Sequence, residues 1–281
     1  MSILSSPSST SGIAKAHDGC ALFYRFYPQT GKPRLALVHS LALDSSIWDN
    51  TVRALGGDLE ILAYDCRGHG QSEKRAGKYS AQLFADDLGA VMDACGWQSA
   101  FVAGCSMGGC VALAFGAAYP HRAQGLALVD TSAWWGRTAR QDWQARADGA
   151  AKDGLGPMVP VQMSRWFSDA YREKHPDVIQ AVTRVFLASD IECYRSSCAM
   201  LGETDLRDAA RSLRQTVAVI VGEDDQATPL HMSQTLHELI PHSTLTVIPK
   251  GRHLTPIECP AEVAGAIRGL ARSAKSEPRL P

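Results

Sequence analysis

Short apolar runs, bounded by turn residues, alternate along most of the chain with longer stretches of helical pattern. Runs of this kind are typical of strands buried on both faces of a parallel sheet. The predicted strands are 22–27, 35–38, 59–64, 100–103, 126–129, 217–221 and 245–248. The predicted helices are 47–55, 81–95, 108–118, 230–240 and 261–271. The alternation predicts a mostly parallel sheet covered by helices, with ligands bound at the carboxyl ends of its strands.

The alternation is interrupted once, between residues 136 and 214. This segment has no strand pattern, and its composition is helical and rich in aromatic residues. Because both of its ends return into one series of strands, we interpret it as a functional insertion rather than a simple connection. The expected α/β core is formed by 1–135 and 215–281, with a helical lid at 136–214 between them. An independent helical domain is the alternative.

Composition narrows the class of protein. The 281 residues are 45% hydrophobic and 20% charged, with 28 Lys and Arg against 29 Asp and Glu. This apolar fraction argues against disorder, and the balanced charge argues against nucleic acid as a partner. No apolar run is long enough to span a membrane. The Ser-rich stretch 1–12 is predicted to be a loose tail rather than a signal peptide, and 273–281 is expected to fray.

The cysteines and the remaining motifs point to a cytoplasmic protein without a cofactor. None of the eight cysteines has C-x-x-C spacing, and several lie in apolar runs, so reduced thiols are expected. No zinc, phosphate-loop or dinucleotide motif occurs in the sequence. The expected partner is a small-molecule substrate. No metal ion, nucleic acid or membrane is expected to bind, and the sequence leaves open whether the protein forms a homo-oligomer.

A Gly-x-Ser-x-Gly motif at 104–108 is the strongest chemical signal. It reads Gly104-Cys105-Ser106-Met107-Gly108 and lies between a predicted buried strand and a predicted helix. A sharp strand-to-helix turn exposes the serine hydroxyl, and the small flanking residues relieve crowding in the strained turn. The N-terminus of the helix places backbone N–H groups beside this hydroxyl. We therefore predict Ser106 to be a nucleophile.

A serine hydroxyl needs a general base, and the chain offers one in the expected order. With this motif the acid and then the histidine follow the nucleophile, on loops after later strands. His253 is the only histidine in the loop after the last predicted strand, and it is expected to take the Ser106 proton. Asp225, after the strand 217–221, is the expected acid. The alternatives for the acid are Asp130, Asp224 and Glu223.

Two backbone amides are expected to stabilise the developing oxyanion. One belongs to Met107, the residue after the nucleophile. The other is the amide of Leu41, in the loop after the strand 35–38. Because the donors are main-chain groups, the identity of the side chain at position 41 is no objection.

These motifs resemble those of the α/β-hydrolase superfamily, from near the start of the chain to about residue 272. The resemblance implies an α/β-hydrolase fold: a mostly parallel eight-stranded sheet flanked by helices, with a helical lid insertion. Within the superfamily the chain is most similar to 3-oxoadipate enol-lactonases, through Arg165-Trp166-Phe167 and 194–207 in the predicted lid. The motifs that carry the superfamily resemblance are 39–41, 65–72, 104–108, 222–225 and 251–253.

The chain also departs from the enol-lactonase pattern. That subgroup often has Asn-Ser-Leu-Gly where this chain has 39–42, and a basic residue in place of Trp134. An enol-lactone carries a carboxylate, which a lid cation would bind through a charge-assisted pair. The tryptophans instead favour an aromatic wall for a more apolar acyl group, with lid packing as the alternative. The candidate substrate-binding residues are Trp134, Trp135, Arg137, Arg165 and Trp166, with Arg195 as a further cation; the alternative for each arginine is a solvated position.

The leading functional hypothesis is a serine hydrolase that cleaves a small ester or lactone through an acyl-enzyme. The catalytic residues would be Ser106, Asp225 and His253, with Leu41 and Met107 as oxyanion donors. A carboxylesterase of other specificity, a C–C bond hydrolase and a perhydrolase are alternatives on the same residues. A ligand-sensing protein of the same fold is an alternative from another class.

Overall fold

The computed structural model describes residues 8–276, which are built around one eight-stranded sheet. Its spatial order is β1-β2-β4-β3-β5-β6-β7-β8. The strands β3 to β8 pair in parallel, whereas β2 runs antiparallel to both of its neighbours. The predicted sheet, eight-stranded and mostly parallel, is confirmed. The strands are β1 Thr10–Lys15, β2 Ala21–Tyr27, β3 Arg34–Val38, β4 Glu60–Tyr64, β5 Ala100–Cys105, β6 Ala123–Val129, β7 Val217–Gly222 and β8 Thr244–Ile248.

Twelve helices surround the sheet within the described residues. In the sheet-forming parts of the chain, α1 packs against α12 and α2 packs against α3. They are α1 Asp49–Leu55, α2 Ala81–Ala94, α3 Met107–Ala118, α4 Ala139–Asp153, α5 Val159–Trp166, α6 Asp169–Lys174, α7 Pro176–Leu187, α8 Ile191–Glu203, α9 Arg207–Ser212, α10 Leu230–Leu239, α11 Thr255–Glu258 and α12 Pro260–Ser276. Short 3₁₀ turns at Ser45–Trp48 and Gly156–Met158 precede α1 and α5.

Both ends of the chain correct the sequence-based prediction. Residues 10–12, expected in a loose tail, begin β1 and pair with β2. Because β1 is an edge strand with mostly exposed side chains, its sequence lacks the apolar run of a buried strand. At the other end, α12 continues to Ser276, so residues 273–276 are helical rather than frayed. The rest of the two expected tails, 1–7 and 277–281, lies outside the described residues.

Helices α4 to α9, called the helical insertion below, lie between β6 and β7, where the sequence predicts a lid. The two ends of the insertion are held together: the Leu206 amide donates to the Ala133 carbonyl at 2.8 Å, and Trp134 pairs with Asp205 as an isolated β-bridge. Within the insertion, α4 packs along α8. The division into a core and a lid domain stays a prediction.

The helical insertion is also tied to the loop that follows β8. The Leu254 amide donates to the Trp166 carbonyl at 3.1 Å, and the Arg252 guanidinium donates to the Ser164 carbonyl. The amide of Ser168 donates to the Glu258 carboxylate at 3.0 Å. These bonds join the end of α5 to the residues on either side of His253.

The cysteine thiols and the apolar character of the helices bear on two expectations from the sequence. All eight cysteines fall within the described range and are free thiols, six of them buried. No helix between residues 8 and 276 has the length and apolar character that crossing a membrane requires.

Candidate active site

Ser106 occupies a strained turn between the end of β5 and the start of α3. Its backbone has φ 55° and ψ −116°, a conformation that costs a non-glycine residue free energy. Two glycines make the turn possible, because a Cβ at Gly104 would overlap the Gly108 carbonyl and a Cβ at Gly108 would overlap the Val38 carbonyl. The missing side chain at Gly108 therefore lets α3 approach the end of β3.

We expect Gly104→Ala to destabilise the fold by roughly 3 kcal/mol or more, since the added methyl group meets rigid backbone. The matched control is Gly265→Ala, at an exposed position in α12 where a Cβ meets nothing within 4 Å. This control should gain about 0.5–1 kcal/mol, because alanine is the better helix former. Urea unfolding followed by circular dichroism measures both changes. Equal stability of the two variants would contradict the close packing of the turn.

Ser106, His253 and Asp225 form one hydrogen-bonded chain. His253 Nε2 lies 2.9 Å from the Ser106 hydroxyl, and His253 Nδ1 lies 2.8 Å from Asp225 Oδ2. All three side chains are buried, and Ser106 retains 6% exposure at the floor of a cavity. A histidine between a serine and a carboxylate can accept the serine proton and share the resulting charge with the carboxylate.

Three loops at the carboxyl ends of parallel strands carry these side chains. Ser106 follows β5, Asp225 follows β7 and His253 follows β8. The Asp225 carboxylate is fixed by its own turn: Oδ1 accepts from the amides of Ala227 and Thr228, at 2.7 and 2.9 Å. The sequence predicts each of these residues in a loop after a strand, and the structure places them in those loops.

The alternative acids lie elsewhere. Asp224 and Glu223 are exposed. Asp130 is buried at the end of β6, but it accepts from the amide of Gly222 at 3.1 Å and from the amide and hydroxyl of Thr255 at 3.0 and 2.6 Å. Its carboxylate therefore joins the loops after β7 and β8, and no hydrogen bond connects it to the His253 ring within the described residues.

The electrostatics distinguish the two buried aspartates. Burial raises the pKa of Asp130 well above its usual value, and the neighbouring Asp225 charge adds to that rise. Burial also acts on Asp225, but the charge and hydrogen bond of His253 bring its pKa below the usual value. Burial lowers the pKa of His253, the Asp225 carboxylate raises it, and the balance lies above its ordinary value of 6.5. Of the two carboxylates, only Asp225 has the hydrogen bond and the charge that would stabilise an imidazolium at His253.

The two predicted oxyanion donors lie beside the serine. Met107 is the first residue of α3, so its N–H points out of the helix N-terminus without an intrahelical acceptor. Leu41 lines the same cavity as Ser106, in a tight turn where Ala42 has φ 58°. Among the described residues, neither amide donates to another group. Both are therefore free to donate to a ligand oxygen.

A cavity of about 630 Å³ covers the serine. The helical insertion supplies most of its wall, and the loops after β3, β5, β7 and β8 and helix α10 supply the rest. Its lining residues are Ser40, Leu41, Ser106, Trp135, Ala139, Asp142, Trp143, Arg146, Pro157, Met158, Val161, Gln162, Arg165, Trp166, Gln226, Ala227, Met232 and His253.

The predicted substrate-binding residues divide into two groups. Trp135, Arg165 and Trp166 line the cavity, whereas Trp134 and Arg137 do not. Trp134 is turned away because its backbone pairs with Asp205 and its ring stacks under the Arg207 guanidinium, 4.1 Å from the ring centroid. Arg137 is exposed. The further candidate Arg195 is also outside, paired with Glu192 at 3.1 Å.

Several cavity residues were missed by the sequence reasoning. Arg146 and Trp143 on α4, Gln162 on α5 and Met232 on α10 all line the cavity. They stand inside helices and belong to no motif. A helical pattern alone gives no signal that separates a cavity-facing polar residue from a solvated one. No group of three or more His, Cys, Asp or Glu with metal-binding geometry occurs in the part of the chain that the structure describes.

The sequence matches a known protein family over most of its length. The family model described as the alpha/beta hydrolase fold matches residues 33–260, most of the sequence. The chain belongs to the α/β-hydrolase fold family. The match covers the strained serine turn and the loops that carry Asp225 and His253.

Relatives of this α/β hydrolase include enol-lactonases and esterases. The 3-oxoadipate enol-lactonase 2 of Acinetobacter baylyi is 29% identical over 252 residues, which cover 90% of this chain and 93% of the relative. The crystal structure of the enol-lactonase from Burkholderia xenovorans LB400 is 29% identical, with TM-score 0.88 over 93% of this chain and 100% of that chain. The structure of a thermophilic esterase of Thermogutta terrifontis, with malate bound, is 28% identical, with TM-score 0.85 over 95% of this chain and 99% of that chain. A hydrolase of the α/β fold is therefore supported.

Proposed function

We propose that this α/β hydrolase is a cofactor-free serine hydrolase that cleaves a small ester or lactone through an acyl-enzyme. The observation that carries the proposal is the hydrogen-bonded chain from Ser106 through His253 to Asp225, on the floor of a cavity beside a helix N-terminus. The similarity to enol-lactonases and an esterase supports the substrate class.

The first half-reaction forms the acyl-enzyme. The Ser106 oxygen attacks the carbonyl carbon while His253 Nε2 takes its proton, and Asp225 stabilises the imidazolium. The carbonyl oxygen becomes an oxyanion, which accepts hydrogen bonds from the amides of Leu41 and Met107. Loss of one such donor typically costs about two to three orders of magnitude in rate. Collapse of the tetrahedral intermediate transfers the proton from His253 to the leaving alkoxide or enolate.

The second half-reaction releases the acid. His253, neutral again, takes a proton from water as the water oxygen attacks the acyl carbon, and the Ser106 oxygen leaves with that proton. For a lactone, the leaving oxygen remains part of the acyl group, so ring opening gives one product. The cavity volume of about 630 Å³ is in the range typical of small-molecule sites.

The same residues could instead support C–C bond hydrolysis, perhydrolysis or slow turnover in a ligand-sensing protein. Product mass separates the first two from ester or lactone cleavage, because a ring-opened lactone, a cleaved carbon chain and a peracid differ in composition. Turnover number tests the sensing alternative. The direct experiment is a panel of lactones and short-chain esters ranked by kcat/KM, with products identified by mass spectrometry.

We expect kcat/KM to fall on acidification, with a midpoint above pH 6.5. Only neutral His253 can act as a base, and the Asp225 carboxylate holds its pKa above 6.5 against the effect of burial. Asp225 stays ionised across this range because its own pKa is lowered. The measurement is a profile of kcat/KM between about pH 5 and 9, which reports the free enzyme. A midpoint below 6.5 would contradict His253 as the base in this environment.

A further inference from the structure

One cation on the cavity wall is held by three helices of the insertion. Arg146, on α4, donates from Nε to the Tyr194 hydroxyl of α8 at 2.5 Å. In the amide orientation that satisfies both groups, the Gln162 oxygen of α5 accepts from the two terminal nitrogens of Arg146 at 2.6 and 3.1 Å. The guanidinium also lies over the rings of Trp143 and Tyr194, at 5.3 and 5.8 Å from their centroids.

Every one of these partners is neutral. Burial raises the pKa of Tyr194 to about 12, so its hydroxyl stays protonated at neutral pH and carries no charge. No carboxylate in residues 8–276 forms an ion pair with Arg146. Arg67, which is more deeply buried than Arg146, is by contrast paired with Asp87 at 2.6 Å and with Asp18 at 2.9 Å. Charged groups sheltered from water are normally paired, whereas the half-buried Arg146 has only neutral partners.

The other charged groups that line the cavity do not supply that counter-charge. Asp142, one turn before Arg146 on α4, is exposed and accepts from the Thr138 hydroxyl at 2.7 Å. Arg165 lies on the exposed rim and adds a second positive charge. The wall of the cavity away from the serine therefore carries an excess of positive charge, centred on a guanidinium that is already fixed in place.

We propose that Arg146 binds an anionic group of the substrate, and that the protein acts on esters or lactones that carry a carboxylate. Gln162 and Tyr194 hold the guanidinium by three of its five N–H groups, which leaves one N–H on each terminal nitrogen for a ligand. This inference rests on the proposed serine hydrolase function.

A preformed cation of this kind determines both selectivity and orientation. Its partners already fix the side chain, so little rotamer entropy is lost when the carboxylate binds. Charge-assisted hydrogen bonds are also stronger than neutral ones. With its carboxylate at Arg146, a substrate would reach across the cavity to place its carbonyl at Ser106, with Trp135 and Trp143 along its apolar portion.

The test uses matched substrates with Arg146→Met. One pair is mono-4-nitrophenyl glutarate and 4-nitrophenyl pentanoate, which end in a carboxylate and a methyl group. The other pair is 5-oxotetrahydrofuran-2-acetate and its methyl ester. The wild-type protein should prefer the carboxylate member of at least one pair. In Arg146→Met, the ratio of kcat/KM for that member over its neutral partner should fall roughly 10- to 100-fold, mainly through KM.

Gln162→Glu separates anion binding from a structural role. The substitution is nearly isosteric and places a carboxylate on the guanidinium, so it strengthens the contact while it neutralises the site. If Arg146 binds the substrate anion, the ratio should fall as in Arg146→Met. If Arg146 only holds the helices together, the ratio should stay at its wild-type value and the proposal is overturned. This variant also keeps the test valid if Arg146→Met fails to fold.

Arg165→Met is the matched control for positive charge at the rim. Exposed charges are screened, so its ratio should change by less than about 3-fold. If Arg165→Met abolishes the preference for the carboxylate substrate while Gln162→Glu leaves that preference unchanged, the anion binds at the rim and the proposal is overturned. A wild-type protein that shows no carboxylate preference overturns it as well. The proposed function fails separately, if Ser106→Ala still hydrolyses both members of a pair.

Discussion

Replacement of Ser106 by alanine is expected to lower kcat by roughly 10⁵- to 10⁶-fold on any ester or lactone substrate. The variant removes the attacking oxygen but keeps the backbone of the strained turn, where φ is 55°. The cavity and its binding contacts should therefore survive. The measurement is single-turnover and steady-state hydrolysis of a 4-nitrophenyl ester, with active-site labelling by a serine-directed fluorophosphonate.

The matched control is Ser212→Ala, which removes an exposed hydroxyl at the end of α9 that contacts only the Ala209 carbonyl. It should keep full activity and full labelling. Substantial hydrolysis by purified Ser106→Ala would contradict the serine mechanism, and labelling at another residue would reveal a different nucleophile. An inactive variant that still binds a product-like carboxylate would show that the loss is chemical.

Asp225→Asn is expected to lower kcat by about 10⁴-fold. The reason is the fixed turn around this side chain: the amides of Ala227 and Thr228 both donate to Oδ1. The asparagine oxygen must stay there, so its NH₂ group faces His253 Nδ1. That arrangement favours the imidazole tautomer with the proton on Nε2, which cannot accept the proton of Ser106. Steady-state kinetics measure the loss.

Asp130→Asn provides the comparison, because it changes the other buried carboxylate in the same way. This residue accepts from Gly222 and Thr255, and an amide NH₂ would face one of these donors. We expect a loss of about 1–3 kcal/mol in unfolding free energy, with a fall in kcat of less than about 10-fold. A larger kinetic loss in Asp130→Asn than in Asp225→Asn would reverse the assignment of the acid.

The sequence predicts much of the candidate site because the chemistry is local. Ser106 lies in a contiguous motif between a strand and a helix, and His253 follows the last strand. The loops that follow parallel strands lie at one edge of the sheet. The positions of these residues after strands therefore predict that they lie close together. The sequence does not separate Asp225 from Asp130 as clearly, since both follow buried strands. Only the hydrogen-bond partners of each carboxylate distinguish them.

The cavity wall could not be predicted in the same way. Arg146 meets Gln162 and Tyr194 on two other helices, and the packing of helices within an insertion is not encoded in any short pattern. Trp134, in contrast, is a candidate for the cavity wall from the sequence but does not line the cavity. An aromatic residue just after a strand can turn to either side, and its pairing with Asp205 at the far end of the insertion decides the direction. The edge strand β1 was missed because its exposed side chains leave no apolar signature.

The hydrogen bonds between α5 and the residues flanking His253 limit how the protein can be re-engineered. The same helix supplies Gln162, Arg165 and Trp166 to the cavity and anchors Leu254, the residue next to the base. If these residues have the proposed roles, substrate selectivity and proton transfer both depend on the position of α5. A chimera that exchanges only the helical insertion for that of another hydrolase would misplace the imidazole, whereas a graft that also carries 252–258 would preserve it. The segment to exchange in such an experiment is therefore discontinuous in sequence.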